Sequence, residues 1–236
     1  MWGMLLASLA WGAPALQARL AEVAPLRSQR LVHDAPAIPP EAYQEVAKGE
    51  VATGLQDVDG YAAKKAWGVA VVDVPIARYW AAINDDPGKQ TNGLIEHVKV
   101  LAGKVCAPDR TVFQYLPVTL MSDRWWVAKI SVNKALQERT EGRVREMEWQ
   151  SVHEDAFADP QVDAWVQDGV QVGFTKGAWW LVDLDGAHTL VEYYAWSDPG
   201  GRVPAGLASR FAAGSISGTL KEMAKIALGD PGCPIE

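Results

Sequence analysis

The residues that could do acid–base or nucleophilic work are few and scattered. Four histidines stand at 33, 97, 153 and 188. His33 lies in a Pro-rich stretch and His153 beside an acidic run, so only His97 and His188 fall in strand-like segments. An imidazole titrates near neutrality, but catalysis needs it to converge with other titratable groups, and a lone strand-end histidine is more often structural. The chain has no HExxH helix, no GxSxG turn, no P-loop and no paired Cys/His spacing, so neither a metal nor a cofactor is expected. Cys106 and Cys233 both sit in Pro/Gly-containing loops. They fit one disulfide in an exported protein, the alternative being two free thiols.

The larger resource is apolar. A 236-residue chain that is 49% hydrophobic and 22% charged reads as one folded domain with extensions, not as a disordered chain. Its net charge of −7 argues against nucleic acid, whose binders need a basic stripe to displace counterions. Eleven tryptophans, each carrying about 150 to 250 Å² of surface, require a wide core or a lined cavity.

The elements that must position them follow from punctuation and periodicity. Residues 1–15, MWGMLLASLAWGAPA, carry no charge and end in the small-x-small triplet Ala13-Pro14-Ala15. They predict a signal peptide cleaved near Ala15 and a periplasmic or secreted protein. No Lys or Arg precedes the apolar run, so the alternative is a buried N-terminal helix in a cytoplasmic protein. Residues 16–40 read as a tether or outer helix, 41–228 as the main domain and 229–236 as a tail. Strands are predicted over 66–74, 95–101, 111–119, 125–133, 144–152, 170–184 and 188–197, with the last two joined at the Asp185-Gly186 turn. A helix follows Pro75 and ends before Asp85-Asp86-Pro87-Gly88, and residues 154–169 form an acidic, irregular excursion.

The longest helical segment, 204–228, stops at Gly229-Asp230-Pro231. Ala208, Ala212, Ile216, Leu220, Met223 and Ala227 share one side, with Arg210, Ser217, Lys221 and Lys225 opposite. Gly214 and Gly218 are costly inside a helix, so they are expected to permit close approach or to leave space. The fold class is α+β: a curved antiparallel sheet of about six to seven strands, one face of which only this helix is long enough to cover.

Several segments resemble a known family. Ala47-Lys48-Gly49-Glu50-Val51, Val71-Val72-Asp73-Val74-Pro75 with Tyr79-Trp80, and Ser122-Asp123-Arg124-Trp125-Trp126 are similar to stretches of START-like lipid-binding domains of the helix-grip superfamily, which also includes the birch-pollen allergens. Trp125 replaces an acidic residue of that pattern. The most specific matches are Thr175-Lys176-Gly177-Ala178-Trp179, Thr189-Leu190-Val191-Glu192-Tyr193 and Asp198-Pro199-Gly200-Gly201-Arg202-Val203-Pro204. They resemble the family's Lys-Gly-x-Trp strand, Thr-x-x-x-Tyr strand and the turn into its gripping helix.

The resemblance implies a cavity between sheet and helix that binds a lipid or other apolar small molecule, with transfer of that molecule as a further expectation. Alternation then places Trp126, Ala128, Ile130 and Val132 toward that cavity, and Trp125, Lys129, Ser131 and Asn133 away from it. Met147 and Trp149 point inward, Glu146, Glu148 and Gln150 to water. In the last hairpin both faces are apolar, and Trp179, Leu181, Val191 and Tyr193 are assigned inward, with Glu192 kept out of the interior. The expected ligand-binding set is Trp80, Phe113, Tyr115, Trp126, Ala128, Ile130, Met147, Trp149, Trp179, Leu181, Val191, Tyr193, Phe211 and Ile216; the alternative is that these side chains simply fill a core. A second functional reading is a polyketide cyclase or aromatase-like enzyme, with Tyr79, Tyr115, Tyr193 and Arg124 orienting the substrate. A third is an interaction protein that uses its acidic 154–169 segment. The expected chain is a monomer in transient contact with a membrane, and Trp125 or Trp180 could mark a contact surface. Residues 85–91 and 199–204 are expected to move when ligand enters.

Overall fold

The computed structural model describes residues 12–118, 122–153, 157–201, 203 and 205–235, with side chains in the last helix from 215 onward. The expected signal residues 1–11 lie outside the described residues.

The apolar, β-branched runs form β1 (Ala52–Gln56), β2 (Lys65–Val72), β3 (His97–Ala102), β4 (Arg110–Leu116), β5 (Asp123–Val132), β6 (Val144–Val152), β7 (Gly169–Gln171), β8 (Phe174–Asp183) and β9 (Thr189–Asp198). They make one sheet in the order β1-β2-β9-β8-β6-β5-β4-β3, antiparallel throughout except that the short β7 runs parallel to β5. The predicted strand over 170–184 is thus two strands, and β1 is an addition. These two account for nine strands where six to seven were expected. The β8–β9 turn closes as its residues dictate: Gly186 takes a φ of +83° that suits glycine, and Asp183 and Asp185 accept from the backbone N–H groups of Gly186 and His188 at 2.7 and 2.8 Å.

One face of the sheet carries α7 (Ala205–Leu228). Ile216, Leu220, Met223 and Ala227 are buried against Ala66, Ala70, Val72, Leu181 and Val191, so the predicted apolar side of the helix is the packed one from 216 on. Ala208, Arg210 and Ala212 lie outside the described side chains. The close approach comes from the strand: a Cβ at Gly68 would sit 2.3 Å from Ile216 Cγ2. Gly218 of the helix faces open space. Helix α3 (Ile76–Asn84) follows β2 and packs its Tyr79 and Ile83 into the same core.

The opposite, outer face is also covered. Helix α1 (Ala13–Val23), a 3₁₀ turn (Ala24–Gln29) and α2 (Pro40–Val46) lay Leu16, Val23, Tyr43 and Val46 over Trp67, Trp180, Val182 and Leu190. Pro40 starts α2 where a missing N–H costs nothing. This layer overturns the expectation that Glu146 points to water. The alternation is as predicted, but the face it leads to is roofed over, and Glu146 and Glu192 are buried beneath it. Glu146 accepts from Leu31 N at 2.7 Å and Asn133 Nδ2 at 2.8 Å; Glu192 accepts from Arg27 Nη1 at 2.8 Å and Tyr43 Oη at 2.9 Å. The Arg30 guanidinium lies 4.6 Å over the Trp180 ring and 3.7 Å from both carboxylates.

Further along the same face, α6 (Pro160–Val166) sits within the predicted irregular excursion. Asp159 caps it by accepting from Gln161 N at 3.0 Å. Its Val162 and Trp165 cover Phe113, Tyr115, Trp125 and Val127. Trp125 and Trp180 are therefore not surface contacts: α6 and the N-terminal layer bury both.

Beyond α3, residues 85–91 are not a free loop. They form α4 (Asp86–Thr91), capped by Asp85 and fixed by a buried Asp86–Arg110 pair at 2.6 Å. Cys106 and Cys233 are joined in a disulfide. Gly232 N donates to Asp85 at 2.8 Å, and Arg78 Nε to the Ala227 carbonyl at 2.9 Å, so the C-terminal end of α7 is tied to α3, α4 and the β3–β4 loop. The short helix α5 (Lys134–Arg139) completes the fold.

Two outcomes are expected. Reducing the disulfide, or replacing Cys233→Ser, should lower the unfolding free energy by about 3 to 5 kcal/mol, read from urea melts with and without reductant. For Glu192, burial works to raise its carboxyl, but the hydrogen bond and charge of Arg27, with Arg30 and Tyr43, more than offset it and hold it below the ordinary value of 4.5. A depressed carboxyl stabilises the fold fully above that value and loses the contribution as pH falls through the lower folded one. Urea midpoints should therefore fall below about pH 4.5, and Glu192→Gln should flatten that dependence.

Candidate functional site

Strand parity decides which side chains face α7. Val112 and Gln114 of β4, Ile130 and Ala128 of β5, Met147 and Trp149 of β6, Trp179 and Leu181 of β8 and Val191 and Tyr193 of β9 are brought together by the register Gln114↔Trp126, Ile130↔Trp149, Met147↔Trp179 and Trp179↔Tyr193. Ile130, Met147, Trp179, Leu181, Val191 and Ile216 are buried in the inner core, with Trp80, Trp149 and Tyr193 packed against it. Trp126 and Ala128 share that side by alternation along β5. Phe113 and Tyr115 do not. They pair with Val127 and Trp125 and lie under α6, on the outer face. The segment Val112-Phe113-Gln114-Tyr115 is apolar or amphipathic on both sides, and only its pairing with β5 reveals which side is inner. Phe211 lies outside the described side chains.

Four aromatic rings make a continuous wall. Trp149 stacks on Tyr193 with centroids 5.6 Å apart at 23°, Tyr193 lies 4.1 Å from Trp179, and Tyr79 meets Trp179 edge-on at 6.0 Å. Gly177 makes the arrangement possible: a Cβ there would stand 2.2 Å from Trp149 Cζ2 and 2.2 Å from the Tyr194 carbonyl oxygen. The Lys-Gly-x-Trp pattern thus has a local cause, since the glycine is the seat of a neighbouring indole. Desolvation pushes the Tyr193 phenol well above its ordinary range. The same cause, with Tyr193 as a lesser contribution, raises Tyr79. Both stay protonated at neutral pH.

Exposure varies along this face, and Trp80, Val100 and Val132 are half-buried. Toward the C-terminal end of α7 the side chains of Leu181, Val191, Met147 and Ile130 are closed off. Toward its N-terminal end Val98, Gln114, Trp126, Trp149, Tyr193 and Ala195 remain half-buried. Polar groups are sparse there: Trp126 Nε1 donates to Gln114 Oε1 at 2.9 Å, and Arg124 stands one inward-facing position beyond Trp126. Pattern reading passed over Val98, Gln114 and Ala195; only the strand order shows that they share a face with Trp149.

The strand histidines are elsewhere. His97 stacks on Trp165 at 4.4 Å on the outer face. His188 sits at the β8–β9 turn, 2.8 Å from Asp185 and 3.4 Å from Asp73. Among the described residues no cluster of His, Cys, Asp or Glu could hold a metal ion, and no helix is long and apolar enough to cross a membrane.

An open antiparallel sheet wrapped on a long C-terminal helix, with that helix pinned at one end and an aromatic wall beneath it, is the START-like helix-grip fold. The chain is similar in structure to a STAR-related lipid transfer protein from Xanthomonas axonopodis, with a TM-score of 0.62 and 17% identity over 75% of this chain and 93% of that one. Human StAR-related lipid transfer protein 5 gives a TM-score of 0.61 and 12% identity over 92% and 97% of the two chains. At these identities the likeness is one of fold. No family model and no curated protein sequence matches the chain.

Gly177→Ala should force Trp149 off its seat and lower the unfolding free energy by about 1 to 3 kcal/mol, with loss of the near-UV circular dichroism of the stacked rings.

Proposed function

We propose that the chain binds a lipid or similarly apolar small molecule between the inner face of the sheet and the N-terminal half of α7. The observation that carries this reading is the accessible surface that the aromatic side chains of the inner face retain. Large aromatic side chains on a face that turns away from bulk solvent should be closed over, as Trp179 is, yet Trp126, Trp149 and Tyr193 keep accessible surface. Small-molecule sites are concave, mostly apolar and equipped with a few orienting polar groups, and Gln114 with the indole N–H of Trp126 supplies such a pair. Lipid transfer, as the names of the two structural neighbours have it, is the expected use. Helix α7 then has to part from the sheet to load and release its cargo.

Export fits the same reading. A disulfide persists where the compartment is oxidising, and the uncharged, apolar run ending at Ala15 supports a cleaved signal. N-terminal sequencing of the protein recovered from its host is expected to begin at or near Leu16; a mature chain that retains Met1 would count against export.

Native mass spectrometry of the purified protein should show one lipid per chain. Titration with a long-chain lipid should quench the indole emission, and Trp149→Ala should weaken binding by about tenfold, as expected for removal of a central aromatic anchor. Failure to take up any lipid class would overturn the proposal.

A further inference from the structure

Among the buried cations, Arg145 donates to the Gly142 carbonyl at 3.1 Å and lies 5.7 Å from the Trp80 ring. Lys65 is paired with Asp34 at 3.0 Å and Arg110 with Asp86 at 2.6 Å, and Arg30 lies between Glu146 and Glu192. Arg124 is 7% exposed and has no carboxylate partner among the described residues. Its Nε donates to the Pro199 carbonyl at 2.6 Å, and its Nη1 to the carbonyls of Ser122 and Asp123. Nη2 carries no hydrogen bond among the described residues and lies beneath Gly201, where a Cβ would be 3.9 Å away. Burying a charge is expensive unless an opposite charge or a full set of hydrogen bonds compensates it, and three carbonyl dipoles leave the net positive charge in place.

Position gives that charge a direction. On β5 the inward-facing positions run Arg124, Trp126, Ala128 and Ile130, so Arg124 stands at the accessible end, under the turn that leads into α7. From Arg124 to Ala128 the strand advances about 13 Å at the usual rise per residue. Ala128 is opposite Ser151, two residues beyond Trp149, which places the aromatic wall within reach of a chain of ten to fifteen carbons anchored at Arg124, roughly 1.3 Å per methylene group on the same scale of lengths as the backbone.

From this we infer that the ligand is an acidic amphipath: its apolar body lies on the Trp149–Tyr193–Trp179 wall and its carboxylate or phosphate is held by Arg124 at the mouth. The guanidinium suits either anion, since its planar set of donors matches both. The inference rests on the proposed binding function and adds the chemical class of the ligand.

The test compares hexadecanoate with its methyl ester, and adds 1-palmitoyl lysophosphatidate to separate a carboxylate from a phosphate source, in equilibrium binding to the full chain. The native protein should bind hexadecanoate, the lysophosphatidate or both at least about tenfold more tightly than the ester, the discrimination expected of one charge-assisted hydrogen bond. Arg124→Gln should bring the acid-to-ester ratio close to one, and Arg124→Lys should retain part of the preference. Equal affinities for acid and ester in the native protein would overturn the assignment while leaving apolar binding intact. Failure to bind any of the three probes would instead sink the binding function itself. The comparison on the native chain stands even if the Arg124 variants do not fold, and circular dichroism reports whether they do. A preference that survives in folded Arg124→Gln would also overturn the role of Arg124.

Discussion

Trp179 and Trp180 are neighbours on one strand, so their indoles leave the sheet on opposite faces, and each needs cover. Most of the architecture answers that demand. An indole left in water forfeits several kcal/mol of burial, and a sheet with a tryptophan on each side is unstable unless both faces are packed. On the inner side the cover is α7 and α3; on the outer side it is α1, the 3₁₀ turn and α2. Two layers on a single sheet make this a three-layer domain.

The outer layer brings polar chemistry with it. Alternation along β6 and β9 sends Glu146 and Glu192 to the same side as Trp180, into a region that the N-terminal layer then seals. Carboxylates there are tolerable only because Arg27, Arg30 and Tyr43 arrive with the layer that buries them, while Asn133 at the end of β5 donates to Glu146. The stacking of Arg30 on Trp180 joins the two demands, since one side chain neutralises the carboxylates and covers the indole. The N-terminal segment is therefore specified in place: shifted by one residue, it would leave two buried charges without partners.

These relations set how much could be read from the chain alone. The β8–β9 hairpin, the long terminal helix and the inner faces of β5 and β6 follow from turn residues and period-two or period-3.6 patterns, which are local signals. The alternation that assigned Glu146 to the side opposite Met147 was correct in parity. It led to the wrong environment because a glutamate looks the same whether water or a distant arginine meets it. Phe113 and Tyr115 failed for a different reason, since β4 is apolar on both sides and its inner face is fixed by pairing with β5. Arg124 was legible as a polar group of the inner strand face, but that no carboxylate among the described residues pairs with it is a relation across the whole interior. The seat that Gly177 makes for Trp149 is likewise a relation between strands, although the motif flagged its position.

The covalent tie between Cys106 and Cys233 gives α7 unequal ends. Its last turn is held by the disulfide, by Arg78 and by Asp85, whereas its first turn meets the sheet through a turn whose Pro199 carbonyl rests on Arg124. A helix of 24 residues is about 36 Å long. Pivoted at its C-terminal end, it acts as a lever, and a tilt of about 10° carries the far end through about 6 Å on that length. That is wider than an acyl chain, and Ile226 and Ala227 lie close to the pivot. The bond that stabilises the fold thereby also sets which end of α7 is the freer to part from the sheet.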